Sequence, residues 1–595
     1  MEKSNHFLLT FDNLLKGDFL ALSDFESLKL ENTTLFLKGK LYGSTLTDLL
    51  KNYVENGHKA FQLIDGDFLC IVVEPNKITI VRDRHGAGNQ LFYSSKYLSN
   101  SLLAFAEIDG FECQPNHEGL LTFMSIGYIP SPKTALKGVS KLNSGFVLKF
   151  ESNKIETFDL FDYKSYMQNA GKSKLTVDEA VGEYEKLHKS AIETRIKGAQ
   201  KVGLLLSGGY DSGGNISALR EVYQGDVVSY SIGFKDNPWT ELPLAKLLSE
   251  KYNSRHYDYE IDGSEIMQLP QILRATGDPF QEGGLLVNFT VMQLVGKSGE
   301  KPDVILGGDG NDQHFGTSGK ELAMHWKLKS KGVQFLQNWY DILGDSISSF
   351  DKDSILFRTE FHNRKILHIQ QSDTFGFSLR KLNNMTLKGI NIDSLHYLKN
   401  APKSYKNFDD FFFNRNYNID IKQVINEVIL FKSSRMSELF GNKMSFPYMS
   451  TELYNFLNEM PVNYKFKGTL EELSAGKGVS KYLHKTYLKP KLPTEITNRK
   501  KQGGFAPLPI FLKDDTQRRA LFAYLRHADG VKAIFRMDKI ESLLNQYETI
   551  ATSKSYWFWY QQVKANQIIN LLTLAVWWEM FINKKTNLQN INELM

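Results

Sequence analysis

Val202-Gly203-Leu204-Leu205-Leu206, followed at once by Ser207-Gly208-Gly209-Tyr210-Asp211-Ser212, is the stretch on which the fold of this chain turns. Its first half is short and apolar throughout, which suits a strand covered on both faces. Ser217-Ala218-Leu219-Arg220 begins an amphipathic continuation that suits a helix. The glycines therefore stand at a strand-to-helix junction, where backbone N–H groups lack helical partners and can receive phosphate oxygens. Asp211 is ill suited to touch phosphate directly. A carboxylate at that point is explained by Mg2+ lying between it and the phosphates, since that ion takes oxygen ligands. Gly-Gly alone would be only a turn; Ser, Asp and Ser at these spacings favour a nucleotide site. Gly171-Lys172-Ser173 and Gly296-Lys297-Ser298 lack the earlier glycine of a Walker A loop and compete with nothing.

Outward from the loop, the pattern is strand and helix in alternation. Residues 227–234 read as a second strand, 242–252 as a helix and 304–306 as a third strand, which predicts a parallel sheet with its ligand at the strands' carboxyl ends. Upstream, Thr176 with Glu179 makes a capping box, and Val181, Tyr184, Leu187, Ala191 and Ile192 give the helix it starts an apolar face. Residues 164–174 are polar and read as a linker. Before them, short alternating runs such as 69–73 and 78–81 suit a layered β-rich domain. Beyond about Gly319, helical periods rich in aromatic and basic residues predict a helical subdomain over the nucleotide site.

At 595 residues the chain exceeds one ordinary core, so two domains are expected. The formal charge of +5, from 72 basic and 67 acidic residues, gives no case for nucleic acid. Two cysteines far apart, Cys70 and Cys113, support neither a disulfide framework nor a zinc site. No secretory signal is visible at the start, and the apolar run 568–582, interrupted by Asn570 and Glu579, reads as a buried helix; the expected compartment is the cytoplasm.

The pattern of residues 207–212 resembles the PP-loop of ATP pyrophosphatases. More fully, the chain resembles glutamine-dependent asparagine synthetase and its relatives, including β-lactam synthetase and lasso peptide cyclases. The matches run in the family's order: residues 207–212, Ser231-Ile232-Gly233-Phe234, Glu241, Asp278-Pro279-Phe280, Gly307-Gly308-Asp309-Gly310-Asn311-Asp312 with Phe315-Gly316, Phe446-Pro447-Tyr448, and Arg499, Lys501, Gly503 and Phe505. The resemblance implies ATP and Mg2+ as cofactors, with Asp211 and Asp312 holding the metal. It implies that Leu206, Ile232 and Gly308 line the adenine and ribose site, with Ser207, Gly208, Gly209, Tyr210 and Ser212 around the pyrophosphate. Asp309 would accept a proton from an incoming amine, and Lys501 would meet the α-phosphate. Asp278 is read equally well as the opener of a turn, and Lys501 also suits a solvated basic run.

The first domain resembles the glutaminase domain, an N-terminal-nucleophile fold, in Asp65-Gly66-Asp67-Phe68, Arg82-Asp83-Arg84-His85-Gly86 and Gly127-Tyr128-Ile129-Pro130 through Lys141-Leu142. The nucleophilic cysteine is missing, with Glu2 at its position, so glutamine hydrolysis is not expected. Ser434, Lys443, Ser445 and Gln313 replace charged family residues, which argues against free aspartate as substrate. The expected organisation is a degenerate glutaminase-like domain over 1–163, a linker over 164–175 and a PP-loop ATP pyrophosphatase domain over 176–595. In fold-class terms it is α/β plus α+β: a layered β domain, then a parallel sheet with helical additions. The expected activity adenylates a carboxylate, releases pyrophosphate, and forms an amide as a nitrogen nucleophile displaces AMP. A lactam- or isopeptide-forming cyclase and a nucleotide-binding pseudoenzyme are the alternatives; a tRNA sulfur-transfer enzyme would need paired cysteines and a basic surface. The partners expected are a small-molecule or peptide carboxylate with ammonia or an amine, without nucleic acid or membrane; a homodimer is compatible.

Overall fold

A computed structural model of the chain describes residues 6–235, 237, 240–316, 319–329, 351–367, 376–387, 405–498, 506–553 and 555–595. The N-terminal part carries two antiparallel sheets, one of six strands and one of four. Its central hairpin, Asp65–Glu74 against Lys77–Arg82, pairs Leu69 with Arg82 and Ile71 with Ile80. Alternate residues face different cores: Leu69, Ile71 and Ile80 pack with Phe11 and Phe150, whereas Cys70, Val72 and Val81 pack with Tyr53 and Phe61. That two-faced burial is the layered β architecture read from the sequence.

The C-terminal part is built on a five-stranded parallel sheet in the order Arg255–Ile261, Asp226–Phe234, Lys201–Leu205, Val304–Leu306, Met444–Ser445. From the central Lys201–Leu205 strand the chain builds outward in one direction and then returns to the other side. The strand order therefore reverses between this strand and Val304–Leu306, and a crevice opens at their carboxyl ends. Val202, Leu204 and Leu306 are wholly buried, as expected of a sheet covered on both faces.

The helix after the loop spans Tyr210–Val222, starting seven residues before the amphipathic run that announces it in the sequence. Gly213 and Gly214 disguise it, because glycine costs a helix about 1 kcal/mol per residue. They are there for packing: a Cβ would stand 3.0 Å from Leu492 Cδ2 at Gly213 and 2.5 Å from the Tyr448 hydroxyl at Gly214. The Thr176 capping box is formed and starts the helix Val177–Ile196. The stretch read as a linker carries a short helix, Tyr163–Asn169, capped by the Asp162 side chain. The C-terminal apolar run lies inside the buried helix Phe558–Phe581, and no helix among the described residues is long and apolar enough to cross a membrane.

Candidate active site

Two loops face each other across the crevice. Residues 207–212 leave the strand Lys201–Leu205, and residues 307–312 leave its neighbour Val304–Leu306. Gly208 has φ 73°, and a Cβ there would stand 2.7 Å from Leu244 Cβ, so only glycine makes this turn without displacement. Gly308 is where the loops meet, since a Cβ on it would lie 3.2 Å from the Ser212 nitrogen. Ser212 Oγ accepts from the Ser207 N–H at 3.1 Å and closes the first loop. Gly209 is the N-cap and supplies no capping side chain, which leaves first-turn N–H groups open to an anion.

A cavity of about 510 Å³ occupies the crevice. Leu206, Ser207, Gly209, Tyr210, Asp211 and Ser212 line it from the first loop, Gly308, Asp309 and Asp312 from the second, and Ile232 from the adjacent strand. Gly208 does not line it and serves the turn behind it. Lys501, with the rest of 499–505, lies outside the described residues.

Among the described residues, Asp211 and Asp312 share one cation that the sequence reading did not foresee. Lys481 Nζ lies 2.8 and 2.6 Å from the two carboxylate oxygens of Asp211 and 2.7 Å from Asp312 Oδ1. Although burial lowers the Lys481 pKa, the two aspartates outweigh it and hold the ammonium above its ordinary value. Asn311 Nδ2 donates to Asp211 Oδ1 at 2.6 Å, and the Tyr184 hydroxyl donates to Asn311 Oδ1 at 3.0 Å. Tyr448 fixes the helix start by donating to the Asp211 carbonyl at 2.8 Å. His484 stands 3.3 Å from Asp211 and is wholly buried; burial drives its pKa down despite the carboxylate.

Asp309 belongs to a second polar group on the other side of the cavity. The Ser433 hydroxyl donates to Asp309 Oδ2 at 2.7 Å, and beside it Lys432 pairs with Glu282 at 2.5 Å. Asp309 keeps part of its surface open to the cavity, yet the surrounding protein desolvates it and raises its pKa against the pull of Lys432 and Ser433.

The departures noted in the sequence separate in space. Lys443 is exposed, and Ser445 turns toward the N-terminal part, 2.6 Å from the Tyr42 hydroxyl and 3.2 Å from Asp67. Neither lines the cavity, so neither replacement bears on what the pocket admits. Asp278 also looks away: its carboxylate takes the Lys141 ammonium at 2.8 Å and the Ala135 N–H at 2.7 Å, both from the N-terminal part. Its place is structural.

Two carboxylates that close on one ammonium also fit one Mg2+. Among the described residues no third acidic or imidazole ligand joins them, so phosphate and water oxygens would complete the shell, the usual arrangement for this ion.

A family model described as asparagine synthase matches residues 183–579, and one described as a glutamine amidotransferase domain matches 37–164. Asparagine synthetase 1, glutamine-hydrolysing, of Bacillus subtilis is 23% identical over 490 residues, covering 78% of this chain and 72% of that one. A Mycobacterium bovis protein with the provisional name of a glutamine-hydrolysing asparagine synthetase is 22% identical over 469 residues, covering 76% and 68%. A similarly named Methanocaldococcus jannaschii protein is 28% identical over 292 residues, covering 47% of this chain and 52% of its own length.

Proposed function

This chain belongs to the asparagine synthase family and is thus an ATP-dependent carbon–nitrogen ligase, and we propose that it forms AMP and pyrophosphate while joining a carboxylate to a nitrogen nucleophile without hydrolysing glutamine. The observation that carries this reading is the convergence of Asp211 and Asp312, from two facing loops, on one cation position beside open helix N–H groups.

In the first step a substrate carboxylate oxygen bonds to the α-phosphorus of ATP, and the bond from that phosphorus to the bridging oxygen breaks, releasing pyrophosphate. Residues 207–212 cradle the β- and γ-phosphates through backbone N–H groups, while Leu206, Ile232 and Gly308 take the adenine and ribose. Asp211 and Asp312 would hold Mg2+, which when bound would supply charge neutralisation for the pyrophosphate. In the second step the nitrogen attacks the acyl carbon, AMP leaves, and Asp309 takes the proton from nitrogen. Its raised pKa favours that role, because a carboxylate pushed upward is a stronger base than one in water. Lys501 is proposed to face the α-phosphate on the family resemblance alone.

Two facts support a nitrogen source other than glutamine. Cys70 is wholly buried in a sheet and its thiol is pushed well up by burial; Cys113 is half-buried and pushed up as well. Neither has the exposed, low-pKa environment of a nucleophilic thiol. The nitrogen is then ammonia, or an amine carried by the substrate.

The test is to incubate the purified chain with ATP, Mg2+ and aspartate, and with ammonium or glutamine as nitrogen donor, following AMP, pyrophosphate, asparagine and glutamate. Matching AMP and asparagine from ammonium, with no glutamate from glutamine, supports the full reading. Glutamate release overturns the glutaminase part. AMP formed only with a carboxylate that bears its own amine moves the product from an open amide to a ring or isopeptide.

A further inference from the structure

Ser433 is wholly buried, and its hydroxyl has two acceptors in reach: Asp309 Oδ2 at 2.7 Å and Asn288 Oδ1 at 3.1 Å. A serine hydroxyl carries one hydrogen and two lone pairs, so it donates to only one of them at a time. The Asn288 amide is fixed the right way round, because its Nδ2 donates to the Gly284 carbonyl at 3.0 Å and so leaves Oδ1 toward Ser433. Asp309 and Asn288 both line the cavity, the latter from the first turn of the helix Leu285–Ser298, whereas Ser433, on the helix Leu430–Leu439, does not. A hydroxyl that only had to hold an ionised carboxylate would need one acceptor. This one has a second, placed for use when the first has been protonated.

We propose that Ser433 is a positioning residue whose hydroxyl follows the charge on Asp309: it donates to the carboxylate, then turns to Asn288 and accepts from the carboxyl once Asp309 has taken a proton. For its consequence in catalysis this rests on the reading of Asp309 as the proton acceptor. In the amide-forming step an N–H bond breaks, its electron pair stays on nitrogen, and an O–H bond forms on Asp309. The serine keeps its own hydrogen throughout and only rotates. Neither charge state of Asp309 then leaves an orphaned polar group, which in a desolvated place would be costly. The other groups that face Asp309 are charged: Glu282 and Asp211 add to burial in favouring the neutral acid, and Lys432 joins the Ser433 hydrogen bond in favouring the anion.

The experiment is an infrared titration of the full chain without substrate, from about pH 4 to about pH 9. Wild type, Ser433→Ala and Asn288→Leu are each recorded as a difference against the same chain carrying Asp309→Asn. The carbonyl stretch of protonated Asp309 follows its titration, and the frequency is lower when the acid's proton is hydrogen-bonded. Expected in wild type is the lowered frequency, an arm that needs neither the Ser433 nor the Asn288 variant to fold. Ser433→Ala titrates at least about 0.5 pH unit above wild type, because the lost bond to the anion is charge-assisted and the stronger of the two, and its stretch rises in frequency. Asn288→Leu titrates at least about 0.5 pH unit below wild type, because a hydroxyl with one acceptor left stays committed to the anion. Shifts in the same direction, the absence of either shift, or the frequency of an unbonded acid in wild type overturns the proposal while leaving Asp309 as the base. Amide formed by Asp309→Asn as fast as by wild type removes the base reading, and the catalytic consequence with it, whatever the spectra show.

Discussion

Lys141→Met should loosen the junction between the two parts of the chain by about 3–5 kcal/mol, the usual cost of leaving one member of a buried ion pair alone. Both partners are enclosed, with 8% and 5% of their side chains exposed, at a separation of 2.8 Å. After the substitution the Asp278 carboxylate keeps one donor, the Ala135 N–H, and lies in a place water does not reach. Asp278→Asn leaves the opposite orphan, an ammonium held only by the Ile129 carbonyl at 2.5 Å. The double variant Lys141→Met/Asp278→Asn removes both charges and keeps an acceptor for Ala135, so its cost should fall at least about 2 kcal/mol below the sum of the singles. Urea unfolding of the full chain, followed by tryptophan fluorescence, reads this near the site, because the buried Trp577 indole donates to the Gly277 carbonyl at 3.0 Å, one residue before Asp278. A Lys141→Met effect below about 1 kcal/mol, or additive singles, would refute the claim that this pair ties the two parts together.

Asp211→Asn should abolish AMP formation while leaving the far-ultraviolet circular dichroism spectrum unchanged; normal ATP turnover by that variant rules out Asp211 as the metal-holding group. Asp67 gives a pH prediction. Burial, with Asp83 and Asp65 adding to it, raises its pKa from 3.8 to about 7 against the pull of Arg195 and Tyr42. A carboxyl whose folded pKa lies above its unfolded one binds protons more readily in the folded state, so its contribution is full below about pH 4 and fades as pH rises through 7. The melting temperature of wild type minus that of Asp67→Asn should therefore decrease from pH 5 to pH 8. A difference that stays level across that range contradicts the assignment.

Much of the parallel sheet was legible because its central strands are buried on both faces and so are written in unbroken apolar runs. Arg255–Ile261 escaped notice as an edge strand in which charged and aromatic residues alternate, and Met444–Ser445 is too short to leave a pattern. The two loops could be read from their glycines and carboxylates, since each loop is local. What could not be read was pairing at a distance. Lys481 lies 270 residues from Asp211, at a helix start with no side-chain cap to mark it. Asp278 meets Lys141 across 137 residues, and nothing beside Pro279 distinguishes an anchor from a turn. Lys432, Ser433 and Glu282 likewise come together only once the helices Leu285–Ser298 and Leu430–Leu439 pack against each other.

The outermost parallel strand, Met444–Ser445, is only two residues long, and beyond it stand Tyr42 and Asp67 of the N-terminal part, with Arg195 bound to Asp65 close by. An uncovered strand edge invites pairing with other chains, and here a neighbouring fold supplies the cover. For the history of the molecule this means that the N-terminal part has a reason to persist that is independent of any reaction of its own. Deletion of the whole part would bare a sheet margin and strand Arg195 without its carboxylate.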